Sequence, residues 1–72
     1  MTRDEFLTAM QDVLQRDEAL SFEMALKDVE EWDSLSVMAT MAFLEKNFGV
    51  KTTINDYRSM KTIEDIAKRA GV

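Results

Sequence analysis

Cysteine, histidine and proline are all missing from this 72-residue chain, and glycine occurs only twice. With no cysteine, no disulfide can staple a fold of this size, whose core is modest in any case. With neither cysteine nor histidine, the usual nucleophile–base pairs and the common zinc ligands are excluded. Basic residues are also short: 9 against 14 acids, for a net charge of −5. That balance lacks the basic face that nucleic-acid phosphates require, and it fits a basic protein partner. No run approaches the ~18 apolar residues of a membrane span. The N-terminal MTRDEFLTAM has no signal-peptide character. Together these absences predict one cytoplasmic domain over residues 1–72 that binds or carries rather than catalyses. No catalytic residue, metal site, nucleic-acid partner or membrane insertion is expected.

What is present reads as helix. Phe6, Leu7, Met10, Val13 and Leu14 recur at three- and four-residue spacing, which predicts an amphipathic helix over about 3–15. Thr2 with Glu5 forms a capping-box pattern at its start. Residues 16–33 lack a clean period. Leu20, Phe22, Met24, Leu26, Val29 and Trp32 are scattered there among charges, as in a long pinned connection holding a short helical turn. Connections longer than about 12–15 residues are uncommon in compact domains and tend to be functional.

A second helix opens at Asp33 or Ser34, both good cap types, and stops at Gly49, with Val50 placed for a Schellman contact. Val37, Met41, Leu44 and Phe48 form its expected core stripe. Thr53 with Asp56 marks a short helical turn, TINDY. Thr62 with Asp65 starts a last helix, where Ile63, Ile66 and Ala67 share a stripe that Gly71 ends. GVKTTI is the one β-leaning run, too short to predict a strand.

The chemistry gathers around Ser34. From Asp17 to Asp33 seven acids face one base, Lys27, a net of −6, while the remainder of the chain is near +1. Acids favour a helix start through the macrodipole, which accounts for Glu30 to Asp33 but not for the whole run. Partner docking is the competing reading. A serine opening a helix is most often a cap, yet a helix start also suits an attached phosphate. With no histidine in the chain, any modification of that hydroxyl requires another enzyme.

No charge occurs between Leu35 and Leu44. Leu35, Met38, Ala39 and Ala42 point away from the core stripe, predicting an exposed apolar strip beside Ser34. An EF-hand is excluded, because DVEEWDSLSVMA lacks the glycine at loop position six and the closing glutamate.

Asp33-Ser34-Leu35 resembles the Asp-Ser-Leu motif of acyl carrier proteins, set after a long loop and opening helix two. The resemblance extends from the first helix through Leu44-Glu45-Lys46-Asn47-Phe48-Gly49 to the short later helices. It implies an all-α, antiparallel four-helix bundle of the stand-alone carrier type, with a long loop between helices 1 and 2 and a short third helix. Ser34, flanked by Asp33 and Leu35, would carry covalent 4′-phosphopantetheine placed by a phosphopantetheinyl transferase. The terminal thiol of that arm would hold an acyl or aminoacyl group as a thioester. Leu35, Met38, Ala39 and Ala42 match the helix-two positions that face partner enzymes, and Glu30 and Glu31 of the acidic run join them as partner-binding candidates. The implied partners are the transferase, an acyl- or aminoacyl-loading ligase, and a downstream transferase or synthase, all visited by a monomer.

The pattern also departs from the fatty-acid carriers, which display acids along the exposed side of helix two. Here that side shows Ser36, Met38, Ala39 and Ala42. Trp32 before the motif is similar to carriers of specialised pathways, and Glu31-Trp32-Asp33-Ser34 differs from the Gly-Gly-x-Ser of peptidyl carriers. The resemblance therefore implies a dedicated pathway. The rival class is an unmodified helical interaction module gripping a partner through helix two. Methionines 10, 24, 38, 41 and 60 offer flexible packing around cargo, with plain core filling as the reading for Met10 and Met41. Trp32 reads as a packing anchor for the loop.

Overall fold

The capping box at Thr2 and Glu5 forms: Glu5 N–H donates to Thr2 Oγ1 at 3.1 Å and Thr2 N–H to Glu5 Oε1 at 2.7 Å. In this computed structural model, which describes all 72 residues, the first helix α1 spans Arg3–Val13. It is shorter than the apolar period predicts. Leu14 caps it, and Gln15 takes the left-handed conformation at φ +53°. Gln15 N–H then donates to Asp12 O and Arg16 N–H to Gln11 O, both at 3.0 Å. This is a Schellman ending with glutamine where glycine is usual. Periodicity could not show it, because Leu14 stays in phase and is buried although the helix has already stopped. A side chain in this conformation costs about 1–2 kcal/mol. Gln15→Gly is therefore expected to raise the thermal midpoint by roughly 4 °C or more. An unchanged or lower midpoint in a calorimetric scan would contradict that assignment of strain.

Beyond Gln15 the chain stays free of α-helix to Asp33, with one 3-10 turn at Leu26–Asp28. Leu20, Leu26 and Val29 are buried and pin this loop to the core. The loop also supplies acceptors to the start of the last helix. Ile63 N–H donates to Met24 O at 3.1 Å and Glu64 N–H to Phe22 O at 3.0 Å, while Leu26 N–H donates to Lys61 O at 2.9 Å. Two of the four N–H groups that every helix start leaves orphaned are thus satisfied by a segment far away in sequence. The only β-type pairing is one isolated bridge between Ala25 and Thr62; GVKTTI forms no strand.

Helix α2 spans Ser34–Phe48 and stops at Gly49, φ +66°, where Val50 N–H donates back to Leu44 O at 3.3 Å. The stop at Gly49 is as predicted, but the ending is not of the Schellman kind: Gly49 N–H donates to Glu45 O at 3.1 Å, the single bond of the αL motif. The predicted core stripe is borne out in part. Of Val37, Met41, Leu44 and Phe48, only Leu44 is fully buried, and the innermost line is Ser36, Thr40 and Leu44. The two polar residues can lie inside because each is hydrogen-bonded. Thr40 Oγ1 donates to Ser36 O at 2.8 Å, so burial leaves no polar group unsatisfied. Val37, Met41, Phe43 and Phe48 pack around this line half-buried.

Helix α3, Ile54–Arg58, starts where Thr53 and Asp56 place it and buries Tyr57. Helix α4, Ile63–Ala70, buries Ile63, Ile66 and Ala67 completely, as the stripe predicts, and ends at Gly71. The fold is all-α with four helices and no strand. Phe6 sits at its centre, with ring centroids 6.1–6.5 Å from Phe22, Phe43 and Phe48. Met10 is wholly buried beside it, as core filling predicts. No helix is long and apolar enough to cross a membrane.

Candidate functional site

The junction between the long loop and α2 is built from a chain of side-chain hydrogen bonds. Asp33, in extended conformation, is the cap: its Oδ1 accepts from Ser36 N–H at 2.9 Å. In return Ser36 Oγ accepts from Asp33 N–H at 2.8 Å, closing a capping box with serine in the place of the usual glutamate or glutamine. The nearest acceptor for the Ser36 hydroxyl is Glu31 O at 2.7 Å, ahead of Asp33 O at 3.1 Å and Asp33 Oδ1 at 3.2 Å. The carboxylate of Glu31 in turn accepts from Arg16 at 2.8 Å, and the Arg16 side chain is only 12 % exposed. Four residues from the end of α1, the loop and the start of α2 are thereby joined.

Ser34 stands in the middle of this arrangement and takes no part in it. It is the first residue of α2, it is exposed, and its hydroxyl makes no hydrogen bond within the chain. The capping reading of Ser34 is corrected here, because Asp33 does the capping. Of the four serines, only Ser21 and Ser34 leave their hydroxyls unbonded, since Ser36 donates to Glu31 O and Ser59 to Asp56 O. Of those two, only Ser34 opens an α-helix, where free N–H groups and the macrodipole suit a phosphate. Nothing beside it can take its proton in the Ser–His manner. The adjacent Asp33 carboxylate is committed to Ser36, whose backbone N–H holds it below the usual carboxylate range.

Leu35 is 77 % and Met38 59 % exposed, and Ala39 and Ala42 are exposed beside them. The apolar strip expected on α2 is present. Ser36 does not belong to it: the sequence placed Ser36 on the exposed side, but the residue is buried and committed to the capping box. Sequence reasoning missed Ile54, 53 % exposed on α3, which packs against α2. Its signal, an isoleucine at the first position of a five-residue helix, was too short to carry a period. The two acids among the partner-binding candidates differ. Glu30 is exposed, whereas Glu31 is half-buried and held by Arg16, which keeps its carboxyl below the usual range. Trp32 is a packing anchor, its ring 6.1 Å from that of Tyr57. An open groove of about 470 Å³ adjoins the junction on the α1 side, between Val13, Leu14 and Gln15 and the start of α2. No three metal-ligating side chains come together.

The charges fix the direction of the pH response. Asp33 is held down by the Ser36 N–H, Glu31 by Arg16, and Asp65 by the backbone N–H groups of Lys61 and Thr62. Each group is more acidic folded than unfolded. Its contribution is therefore complete above its ordinary value, 3.8 for aspartate and 4.5 for glutamate, and disappears as pH falls through the folded value. The urea midpoint should hold from about pH 7 to pH 5 and drop steadily below about pH 4.5. A flat midpoint down to about pH 3 would contradict these assignments.

A family model described as a phosphopantetheine attachment site matches residues 4–70. No curated protein matches the chain, and no solved structure does.

Proposed function

Because this chain belongs to the phosphopantetheine attachment-site family and so carries 4′-phosphopantetheine covalently, we propose that Ser34 is the residue that holds the arm. The observation that supports it is the exposed, unbonded Ser34 hydroxyl at the start of α2, framed by Asp33 and Leu35. The residues fit the group. The helix start offers the unpaired Ser34 N–H to a phosphodiester, and the hydroxyl is free for a transferase to reach. Attachment forms the bond from Ser34 Oγ to phosphorus as the pyrophosphate bond of coenzyme A breaks, releasing the adenosine bisphosphate. The hydroxyl proton leaves to a base on the transferase, since this chain has no histidine to take it.

The arm supplies a terminal thiol that holds an acyl or aminoacyl group as a thioester. The chain itself catalyses nothing in this reading. It is a monomer working in the cytoplasm that presents cargo to a loading ligase and then to a transferase or synthase. Its docking face is the strip of Leu35, Met38, Ala39 and Ala42, with Glu30 at the edge. That face carries no charge between Asp33 and Glu45, which favours a dedicated pathway over partners that read an acidic helix two. Leu35→Ala should leave the thermal midpoint within about 2 °C of wild type, since Leu35 packs little in the free protein. The same change should lower kcat/KM for arm transfer roughly tenfold, because burying a leucine on docking is worth about 1.5–3 kcal/mol. Unchanged transfer kinetics would remove Leu35 from the docking face.

The attachment is tested by intact-mass spectrometry after incubation with coenzyme A, magnesium and a broad-specificity phosphopantetheinyl transferase, followed by peptide fragmentation. The expected result is one phosphopantetheine mass increment located on Ser34. An increment on another residue would overturn the Ser34 assignment, as would no increment beside a control carrier that is modified.

A further inference from the structure

The relay that surrounds Ser34 has more parts than a helix cap requires. A serine at the third helical position needs only to accept from the cap residue's N–H to close the box. Here the same hydroxyl also donates to Glu31 O, five residues back in the loop. Glu31 is in turn fixed by Arg16, the residue that the left-handed Gln15 turns back from the end of α1. Arg16 is also the most buried charged side chain among the ion pairs, 12 % exposed against 30 % or more for every other partner. The strain accepted at Gln15 and the burial accepted at Arg16 meet at Glu31, three residues before Ser34.

We propose that Arg16 and Ser36 are positioning residues for arm transfer: they hold the Glu31–Asp33 segment so that Ser34 is presented in one fixed orientation to the transferase. Neither touches the reacting atoms. Arg16 anchors Glu31, Glu31 O orients the Ser36 hydroxyl, and Ser36 Oγ holds Asp33 N–H, one residue before the nucleophile. Without the relay, the capping bond that Ser36 N–H donates to Asp33 Oδ1 still lets α2 start, but the chain entering it is no longer tied to α1. The order lost in the free protein must then be restored on docking, which raises the barrier to transfer.

The inference rests on Ser34 as the attachment residue, and the test separates the two. Transfer kinetics and amide exchange at Asp33 are measured for wild type, Ser36→Ala, Arg16→Met, the double variant, and Ile66→Val, which weakens only the α4 core. Ser36→Ala is expected to lower kcat/KM roughly tenfold, the equivalent of about one hydrogen bond. Arg16→Met should lower it by a similar factor, although it lies eighteen positions before Ser34. The double variant should be little worse than either single one, because both cut the same relay. Asp33 exchange should quicken in all three, and Ile66→Val should change neither reading. Multiplying effects in the double variant would overturn the proposal, because they would make the Arg16 effect one of charge on docking. Kinetics no different from Ile66→Val would overturn it too. If wild type itself takes no arm on Ser34, the attachment reading fails, and unchanged Asp33 exchange in the variants would then dispose of the relay as well.

Discussion

Ser34→Ala is expected to abolish arm uptake completely while moving the thermal midpoint by less than about 2 °C. The two halves of that expectation come from one geometric fact. The Ser34 hydroxyl bonds to nothing in the chain and is exposed, so its removal breaks no contact. The capping work stays with Asp33 and Ser36, and alanine is a better helix former than serine. The loss of function is total because no other side chain can replace the hydroxyl as the point of attachment at that position. Mass spectrometry reads the first half and circular dichroism the second. A drop of about 5 °C or more would show that Ser34 does structural work this geometry denies it. Residual uptake on the variant would move the attachment elsewhere, with Ser21, the other unbonded serine, as the first residue to inspect.

Phe6→Ala should have the largest effect on stability of any single change in the chain. Phe6 is wholly buried, and three aromatic rings from the loop and α2 pack around it. Truncating a buried phenylalanine costs about 3–5 kcal/mol, because transfer free energy is lost and a cavity remains. A chain of this length has only about 4–11 kcal/mol of stability to lose, at roughly 0.05–0.15 kcal/mol per residue. The variant should therefore melt at least about 12 °C below wild type, with much of its helical signal already lost at 25 °C. Ser34 would be equally exposed in the unfolded variant, so its rate of arm uptake shows whether the transferase reads a folded surface. A midpoint within about 5 °C of wild type would mean that Phe22, Phe43 and Phe48 close over the space, and would demote Phe6 from the centre of the core.

How much of this was legible in the sequence depended on which residues carried the signal. Capping boxes were readable wherever a hydroxyl residue preceded an acid by three, as at Thr2–Glu5 and Thr62–Asp65, because the spacing is itself the interaction. Gly49 and Gly71 ended their helices for an equally local reason, the left-handed turn that only glycine adopts freely. Failures came where a non-standard residue performs a standard task. Glutamine ends α1 in a glycine's place, serine closes the α2 box in a glutamate's place, and two hydroxyl residues line the core where aliphatic ones were expected. The partners that override propensity differ in reach: Thr40 donates to Ser36 O within its own helix and Ser36 to Glu31 O five residues back, whereas Arg16 reaches the distant Glu31. The Arg16–Glu31 pair lies fifteen positions apart and leaves no periodic trace. The candidate site proposed at Ser34 draws on Asp33-Ser34-Leu35 and the uncharged run behind it, which the sequence displays; the relay that frames it left no sequence signal.

The hydrogen bonds from Ile63 and Glu64 back to Met24 and Phe22 bear on the order in which the chain assembles. An eight-residue helix such as α4 is too short to persist alone in water. Two of its first-turn N–H groups, those of Ile63 and Glu64, acquire acceptors only after a loop about forty positions earlier has closed against it. Helical bundles usually fold fast because their contacts are local, and α1 and α2 can form early on that basis. The loop and α4 must arrive together, as a single late event. Under native conditions they should also open together, so that the backbone amides of Ile63 and Glu64 exchange at a common rate with that of Leu26.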